Sequence, residues 1–179
     1  MKVINLIGGA NTGKTTAAFG LMYAMKKMGL RVQYAGEYAA EMVSEHRSNI
    51  LDDQLYILAK QNRRLDRLRD QVDYVITDTS LLLGCVYAKS GEPSALADII
   101  WAKFLGYDNQ VFYIPRNYDF LFDKESRVQA SHAEASAFDK VILTLLSNVP
   151  NTHYLSTKTD YVEQILNILN LRGSLEAAA

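Results

Sequence analysis

The chain has 179 residues, of which 49% are hydrophobic and 22% charged, and its formal net charge is −1 at pH 7. These values predict one globular domain with a sizeable core, and they exclude a broad electrostatic attraction to nucleic acid or other polyanions. The apolar run before Gly8 is too short for a signal-peptide core and no later run reaches the ~18 residues that span a membrane, which excludes a membrane partner.

A phosphate-binding loop follows the first predicted strand. Residues 2–7 predict that strand, residues 14–28 predict a helix, and residues 8–15 between them (GGANTGKT) match G-x-x-x-x-G-K-[ST] at every fixed position. The glycines let backbone N–H groups converge on phosphate oxygens at a helix N-terminus. The Lys14 ammonium is expected to bind the β- and γ-phosphates, and the Thr15 hydroxyl to ligate Mg²⁺. The predicted nucleotide contacts are Gly8, Ala10, Asn11, Thr12, Gly13, Lys14, Thr15 and Thr16.

An acidic residue follows each of the next two predicted strands. The strands are expected at 31–35 and 73–77, and Glu37 and Asp78 come at their carboxyl ends, where open α/β sheets place ligands. Asp78 could hold Mg²⁺, directly or through water, or it could cap the helix that begins near Ser80. Glu37 is either a site residue or a solvated carboxylate in the first turn of the short helix that it begins.

A long helix between these two strands carries arginines on one face. Asp52 or Asp53 can cap the helix, which is expected to run to about residue 70 with leucines at helical spacing on the other face. Arginines interleaved with acids are typical of a solvated surface, although any one of them could contact a phosphate. These arginines are Arg63, Arg64, Arg67 and Arg69.

The second half of the chain continues the alternation of strands and helices. The elements are expected at 93–105 (helix), 110–114 (strand), 131–146 (helix), 152–155 (strand) and 160–171 (helix). The polar, poorly periodic residues 115–130 are typical of a mobile covering loop. We expect a single domain over 1–171 with a parallel sheet between helices, followed by a tail, 172–179, that resembles a cloning remnant. The single cysteine, Cys85, lies in an apolar run, which favours a buried thiol and a cytoplasmic location.

Short segments spread in order along the chain resemble the ribosylnicotinamide kinase domain family and related P-loop nucleoside and nucleotide kinases, many of them phage-type and labelled AAA ATPases. Besides residues 8–16, the segments are 36–41 (GEYAAE), 58–61 (LAKQ), 77–79 (TDT), 118–120 (YDF), 123–129 (DKESRVQ) and 134–135 (EA). The resemblance implies an α/β P-loop NTPase three-layer sandwich. Its five-stranded parallel sheet would have the order 2-3-1-4-5, and residues 115–130 would form a lid.

This resemblance also implies a phosphotransferase that uses ATP and Mg²⁺ to phosphorylate a hydroxyl group of a nucleoside- or nucleotide-type acceptor. Glu37 or Asp78 would orient that hydroxyl, and Arg127 or Arg116 would reach the phosphates from the lid. The family's usual glycine after the lid acid and the tryptophan often found before the lid are missing, which leaves the acceptor open. Kinases of this type also phosphorylate hydroxymethylated pyrimidines within DNA, and modified DNA is therefore the alternative acceptor. The choice between ATP and GTP and the oligomeric state are open as well.

Two other classes of protein compete with the kinase. Residues 157–160 (TKTD) resemble a guanine-reading motif, but a GTPase switch also needs D-x-x-G after the third strand, where Leu81 replaces the glycine. Thr157 and Asp160 instead predict a helix cap. An ATPase motor subunit would need an arginine finger in trans and usually an added helical domain, for which 179 residues leave no room. The three histidines show no metal-ligand spacing and are expected to be structural.

Overall fold

Five parallel strands form one sheet in the computed structural model, which describes residues 1–88, 95–117 and 132–171. The strands are β1 (Lys2–Ile7), β2 (Val32–Tyr34), β3 (Tyr74–Thr77), β4 (Asp108–Tyr113) and β5 (Thr152–Tyr154). Their order is β2-β3-β1-β4-β5, with β1 in the centre between β3 and β4. The predicted parallel sheet and its order 2-3-1-4-5 are confirmed.

Seven described α-helices and one 3₁₀ helix connect the strands. The α-helices are α1 (Lys14–Lys27), α2 (Tyr38–Ser44), α3 (Gln54–Asp66), α4 (Leu83–Tyr87), α5 (Leu96–Leu105), α6 (His132–Leu146) and α7 (Tyr161–Ile168), and the 3₁₀ helix is Ser48–Asp52. Helix α3 ends about four residues before the predicted end, and Asp70 beyond it has a φ of 66° that no helix accommodates. Most of the expected lid, at 118–130, and the tail at 172–179 lie outside the described residues.

The sheet separates two apolar cores. Side chains of β1 alternate between them, with Val3 and Ile7 in one core and Ile4 and Leu6 in the other, as the period of two in a strand requires. The first core is filled from helices α3 to α6 and the second from α1 and α7. Helices therefore cover both faces, and the carboxyl ends of the strands are left as the edge at which loops meet.

Two of the predicted helix caps are present. Asp53, not Asp52, caps α3 by accepting a hydrogen bond from the Tyr56 N–H at 2.9 Å. Asp160 caps α7 through the Glu163 N–H at 2.9 Å, which confirms the cap reading of the segment that resembles a guanine motif. Each cap satisfies one of the amides that a helix start leaves without an internal partner.

Two further properties of the described helices bear on the sequence predictions. None of these helices combines the length and the apolar character needed to cross a bilayer. Cys85 is a free thiol in α4. The sequence predicted a buried thiol, whereas the residue is half-buried, and this burial raises the pKa of the thiol. The thiol is therefore protonated at neutral pH and is a weak nucleophile.

Candidate active site

The loop between β1 and α1 has the backbone that a phosphate site requires. A Cβ at Gly8 would lie 2.5 Å from the carbonyl oxygen of Ile114, so no side chain fits there. Gly13 precedes α1 with a φ of 87°, a left-handed conformation that favours glycine. Asn11 also adopts a left-handed conformation, with a φ of 60°. The Lys14 Nζ donates to the Gly9 carbonyl oxygen at 2.7 Å. The predicted contacts from Gly8 to Thr16 thus surround the N-terminus of one helix.

A buried ion pair packs against this loop. The Arg116 guanidinium follows β4 and donates to both carboxylate oxygens of Asp139 on α6, at 2.8 and 3.1 Å. Its Nη1 donates to the carbonyl oxygen of Ala10 at 2.6 Å. A Cβ at Gly9 would collide with both members of the pair, so Gly9 is required although the loop motif allows any residue there. Arg116 was one of the two candidates for the lid arginine, with Arg127, and the structure places it, buried, against the loop.

Replacing Arg116 with alanine should lower the free energy of unfolding by ~3–5 kcal/mol, because the Asp139 carboxylate, only 7% exposed, would lose its counter-charge. Urea denaturation measures the change. The matched control is Arg31→Ala, which removes an exposed pair with Asp73 and should lower the free energy of unfolding far less, because solvent screens the pair. Equal losses in the two variants would show that the Arg116 pair does not stabilise the fold.

Asp78 and Thr15 form the candidate magnesium site. Pairing of β1 with β3 brings the residues after these strands together, and the Thr15 hydroxyl donates to Asp78 Oδ2 at 2.6 Å. Asp78 is 4% exposed, and its Oδ1 is a buried oxygen without a hydrogen-bond partner. A buried acceptor beside a hydroxyl fits Mg²⁺, which takes few protein oxygens and completes its shell with phosphates and water. The described residues contain no cluster of three or more His, Cys, Asp or Glu side chains that could hold a metal unaided.

The alternative role of Asp78 as a helix cap does not match the structure. Helix α4 begins only at Leu83, and its N-cap residue makes no side-chain cap bond. Ser80 accepts a hydrogen bond from the Leu82 N–H at 3.3 Å instead. Tyr34, which the sequence did not indicate, lies beside the Asp78 carboxylate, and burial together with that charge raises the pKa of its phenol. The phenol is therefore neutral at pH 7, so its hydroxyl can donate a hydrogen bond to the carboxylate.

A cavity of about 540 Å³ opens next to the loop. Its lining includes Gly8, Lys14, Glu37 and Asp78 together with apolar side chains of α2, α3 and α4. Small-molecule sites have volumes of ~300–1,000 Å³ and similar mixtures of apolar walls with a few polar groups. Glu37, the N-cap residue of α2, is half-buried and lines the same cavity as Lys14 of the phosphate loop.

The four arginines within and just after α3 lie outside the cavity. None of them lines it. Arg64 pairs with Glu41 of α2 at 2.7 and 2.5 Å, and Arg69 pairs with Asp66 and lies over the Tyr107 ring. Arg63, Arg67 and Arg69 are exposed, as the solvated-face interpretation predicts, whereas Arg64 is half-buried and packs against α2. Arg127, the other predicted lid arginine, lies outside the described residues.

Comparison with known proteins places the chain in a family. A family model described as an AAA domain matches residues 3–164. The chain belongs to the AAA-domain family. A search of curated proteins gave no significant match to this AAA-domain protein.

Solved structures of kinases share the fold of this AAA-domain protein. NadR in complex with NR superposes with a TM-score of 0.66 and 21% identity over 96% of this chain and 52% of that one, so the chain spans about half the length of NadR. Thymidylate kinase from Ehrlichia chaffeensis has a TM-score of 0.62 and 16% identity, with coverage of 96% and 98%. Deoxyadenosine kinase from M. mycoides has 0.59 and 16%, with coverage of 95% and 99%. The resemblance to P-loop nucleoside and nucleotide kinases is confirmed at the level of the fold.

Proposed function

We propose that the protein is a P-loop kinase that transfers the γ-phosphoryl group of ATP to a hydroxyl group of a nucleoside-type acceptor. One juxtaposition carries the proposal. A phosphate loop, a candidate metal site and a Glu37 carboxylate open onto one cavity of about 540 Å³ that can enclose a small molecule. The fold is shared with a deoxyadenosine kinase and with NadR in complex with NR, which supports the same class of reaction here.

The donor end of the reaction depends on the loop. Backbone N–H groups of residues 8–15 bind the phosphates at the start of α1, and the Lys14 ammonium stabilises charge on the transferring group. Thr15 and Asp78 would hold Mg²⁺, which supplies positive charge to the β- and γ-phosphate oxygens when it is bound. The Arg116–Asp139 pair keeps the loop in place without facing the cavity.

The charges at the cavity favour a hydroxyl acceptor over a phosphate acceptor. Among the described residues that line it, the acidic and basic side chains are one amine, Lys14, and three carboxyl groups, Glu37, Asp52 and Asp78. A nucleoside monophosphate brings an acceptor oxygen that is already ionised, so it needs cations and no base. A nucleoside hydroxyl instead needs a carboxylate within hydrogen-bond reach to take its proton. Glu37 fits that second requirement.

Labelled ATP and Mg²⁺ incubated with separate acceptor pools test the proposal. The pools are nucleosides (adenosine, guanosine, cytidine, uridine and thymidine), ribosylnicotinamide, nucleoside monophosphates, and DNA that contains hydroxymethylated pyrimidines. We expect the label in a nucleoside or ribosylnicotinamide and none when EDTA removes Mg²⁺. Label only in the monophosphates or only in DNA would contradict the acceptor class, and release of phosphate without any labelled acceptor would indicate a bare ATPase.

Asp78→Asn should raise the Mg²⁺ concentration needed for half-maximal activity by ~10-fold or more, because the amide removes the charge that holds the ion or its water. A Mg²⁺ titration of the phosphotransfer rate measures this midpoint. Asp66→Asn, which changes an exposed carboxylate on α3, is the control and should leave it unchanged. An unchanged midpoint with full activity in Asp78→Asn would remove Asp78 from the metal site.

A further inference from the structure

The buried side chain of Gln61 contacts the backbone on both sides of Glu37. Gln61 lies on α3 with 5% of its surface exposed. Its Oε1 accepts a hydrogen bond from the Tyr38 N–H at 2.9 Å, and its Nε2 donates to the Gly36 carbonyl oxygen at 3.2 Å. One amide group therefore holds the connection between β2 and α2 immediately before and immediately after Glu37.

Gln61 also supplies a hydrogen-bond acceptor at the start of α2, where the N-cap residue often supplies one. The first N–H groups of a helix have no partner inside it, and an N-cap side chain commonly satisfies one of them. Glu37 is the N-cap residue of α2 and makes no side-chain cap hydrogen bond, whereas Gln61 satisfies the Tyr38 N–H. The Glu37 carboxylate lines the cavity and is not used to cap its own helix.

A second side chain of α3 strengthens this arrangement. Arg64, almost one turn beyond Gln61, donates to the same Gly36 carbonyl oxygen at 3.4 Å and forms a two-point ion pair with Glu41. Helix α3 thus holds both the start of α2 and its first turn. Because α3 is itself packed in the core through Leu58 and Leu65, the orientation of Glu37 is tied to a rigid element.

We propose that Gln61 is a positioning residue for phosphotransfer, since it fixes the Glu37 backbone so that the carboxylate faces the acceptor hydroxyl. This inference rests on the proposed function, in which Glu37 takes the acceptor's proton. Proton transfer requires hydrogen-bond distance, and a displacement of ~1 Å can cost ~100-fold in rate. Gln61 also borders the cavity, so the competing explanation is a direct contact with the acceptor.

Gln61→Met keeps the length of the side chain and removes both hydrogen bonds. With the best acceptor of the nucleoside and ribosylnicotinamide pools, kcat should fall ~10- to 100-fold while the KM values for ATP and acceptor stay near those of the parent. Gln61→Glu, which retains an acceptor for the Tyr38 N–H, should lose less of the parent kcat. It replaces Gln61→Met in the test if Gln61→Met fails to fold. The matched control is Asn62→Leu, at the next position of α3. It removes the acceptor of a hydrogen bond from the Tyr107 hydroxyl and should keep the parent kcat.

A double-mutant cycle with Glu37→Gln shows whether Gln61 acts through Glu37. If Gln61 acts through Glu37, adding Gln61→Met to the Glu37→Gln variant will lower kcat by no more than about threefold. An equal loss in both backgrounds, a parent-like kcat for Gln61→Met, or a raised acceptor KM with unchanged kcat would each overturn the inference. Parent-like transfer by Glu37→Gln alone would instead show that Glu37 is not the base and would overturn this inference, while the transfer itself would leave the proposed kinase function standing.

Discussion

Lys14→Ala should reduce phosphotransfer by at least ~100-fold while the protein stays folded, because the ammonium stabilises charge that develops on the transferring group. In the structure the Lys14 Nζ donates a hydrogen bond to the Gly9 carbonyl oxygen at 2.7 Å. Loss of one such half-buried hydrogen bond costs ~1 kcal/mol, too little to unfold a domain of this size. Transfer of label from ATP to the nucleoside pool measures the effect.

Lys26→Ala is the matched control for this substitution. Lys26 lies at the other end of α1 and is exposed, so its replacement makes the same change of net charge and helix composition away from the loop. We expect parent activity in Lys26→Ala and similar melting temperatures for both variants. Near-normal turnover by Lys14→Ala would contradict the assignment of residues 8–15 as the phosphate site.

The elements that local chemistry dictates were predictable from the sequence. The loop at 8–15 has a fixed pattern, in which glycine stands where a side chain would collide or where the backbone is left-handed. Asp53 and Asp160 cap helices because carboxylates satisfy the amides at helix starts. The sheet order came from family resemblance, since the hydrophobic period of a strand carries no information about its neighbours. It was nonetheless confirmed.

The contacts that assemble the site could not be predicted in the same way. Arg116 and Asp139 are 23 residues apart, and the same guanidinium reaches Ala10 over 106 residues of sequence. No periodicity signals such a pairing, so Arg116 was read as a lid residue. Gln61 belonged to a segment that resembles the kinase family, yet its two bonds to the β2–α2 connection depend on how α3 packs. The role of Arg127 stays a prediction.

Glu37→Gln should leave ATP binding unchanged and reduce transfer to the acceptor by ~100- to 10,000-fold, the range attributed to general acid–base catalysis. The substitution keeps the size of the side chain and removes its basicity. In the proposed function ATP is bound by Lys14 and by backbone N–H groups of the phosphate loop, and the substitution changes neither. Titration with a fluorescent ATP analogue and the rate of labelled acceptor formation measure the two properties separately.

The control for Glu37→Gln is Glu45→Gln, which changes an exposed carboxylate paired with Arg47 beyond the end of α2 and should have parent activity. A kinase and a bare ATPase respond differently to these variants, because only acceptor phosphorylation needs a base for the hydroxyl. If Glu37→Gln still phosphorylates the acceptor as fast as the parent, the acceptor hydroxyl does not meet Glu37. Asp52 and Asp78 would then be the remaining carboxylates among the described residues that line the cavity, and Asp78, with its neighbour Tyr34, would be tested next.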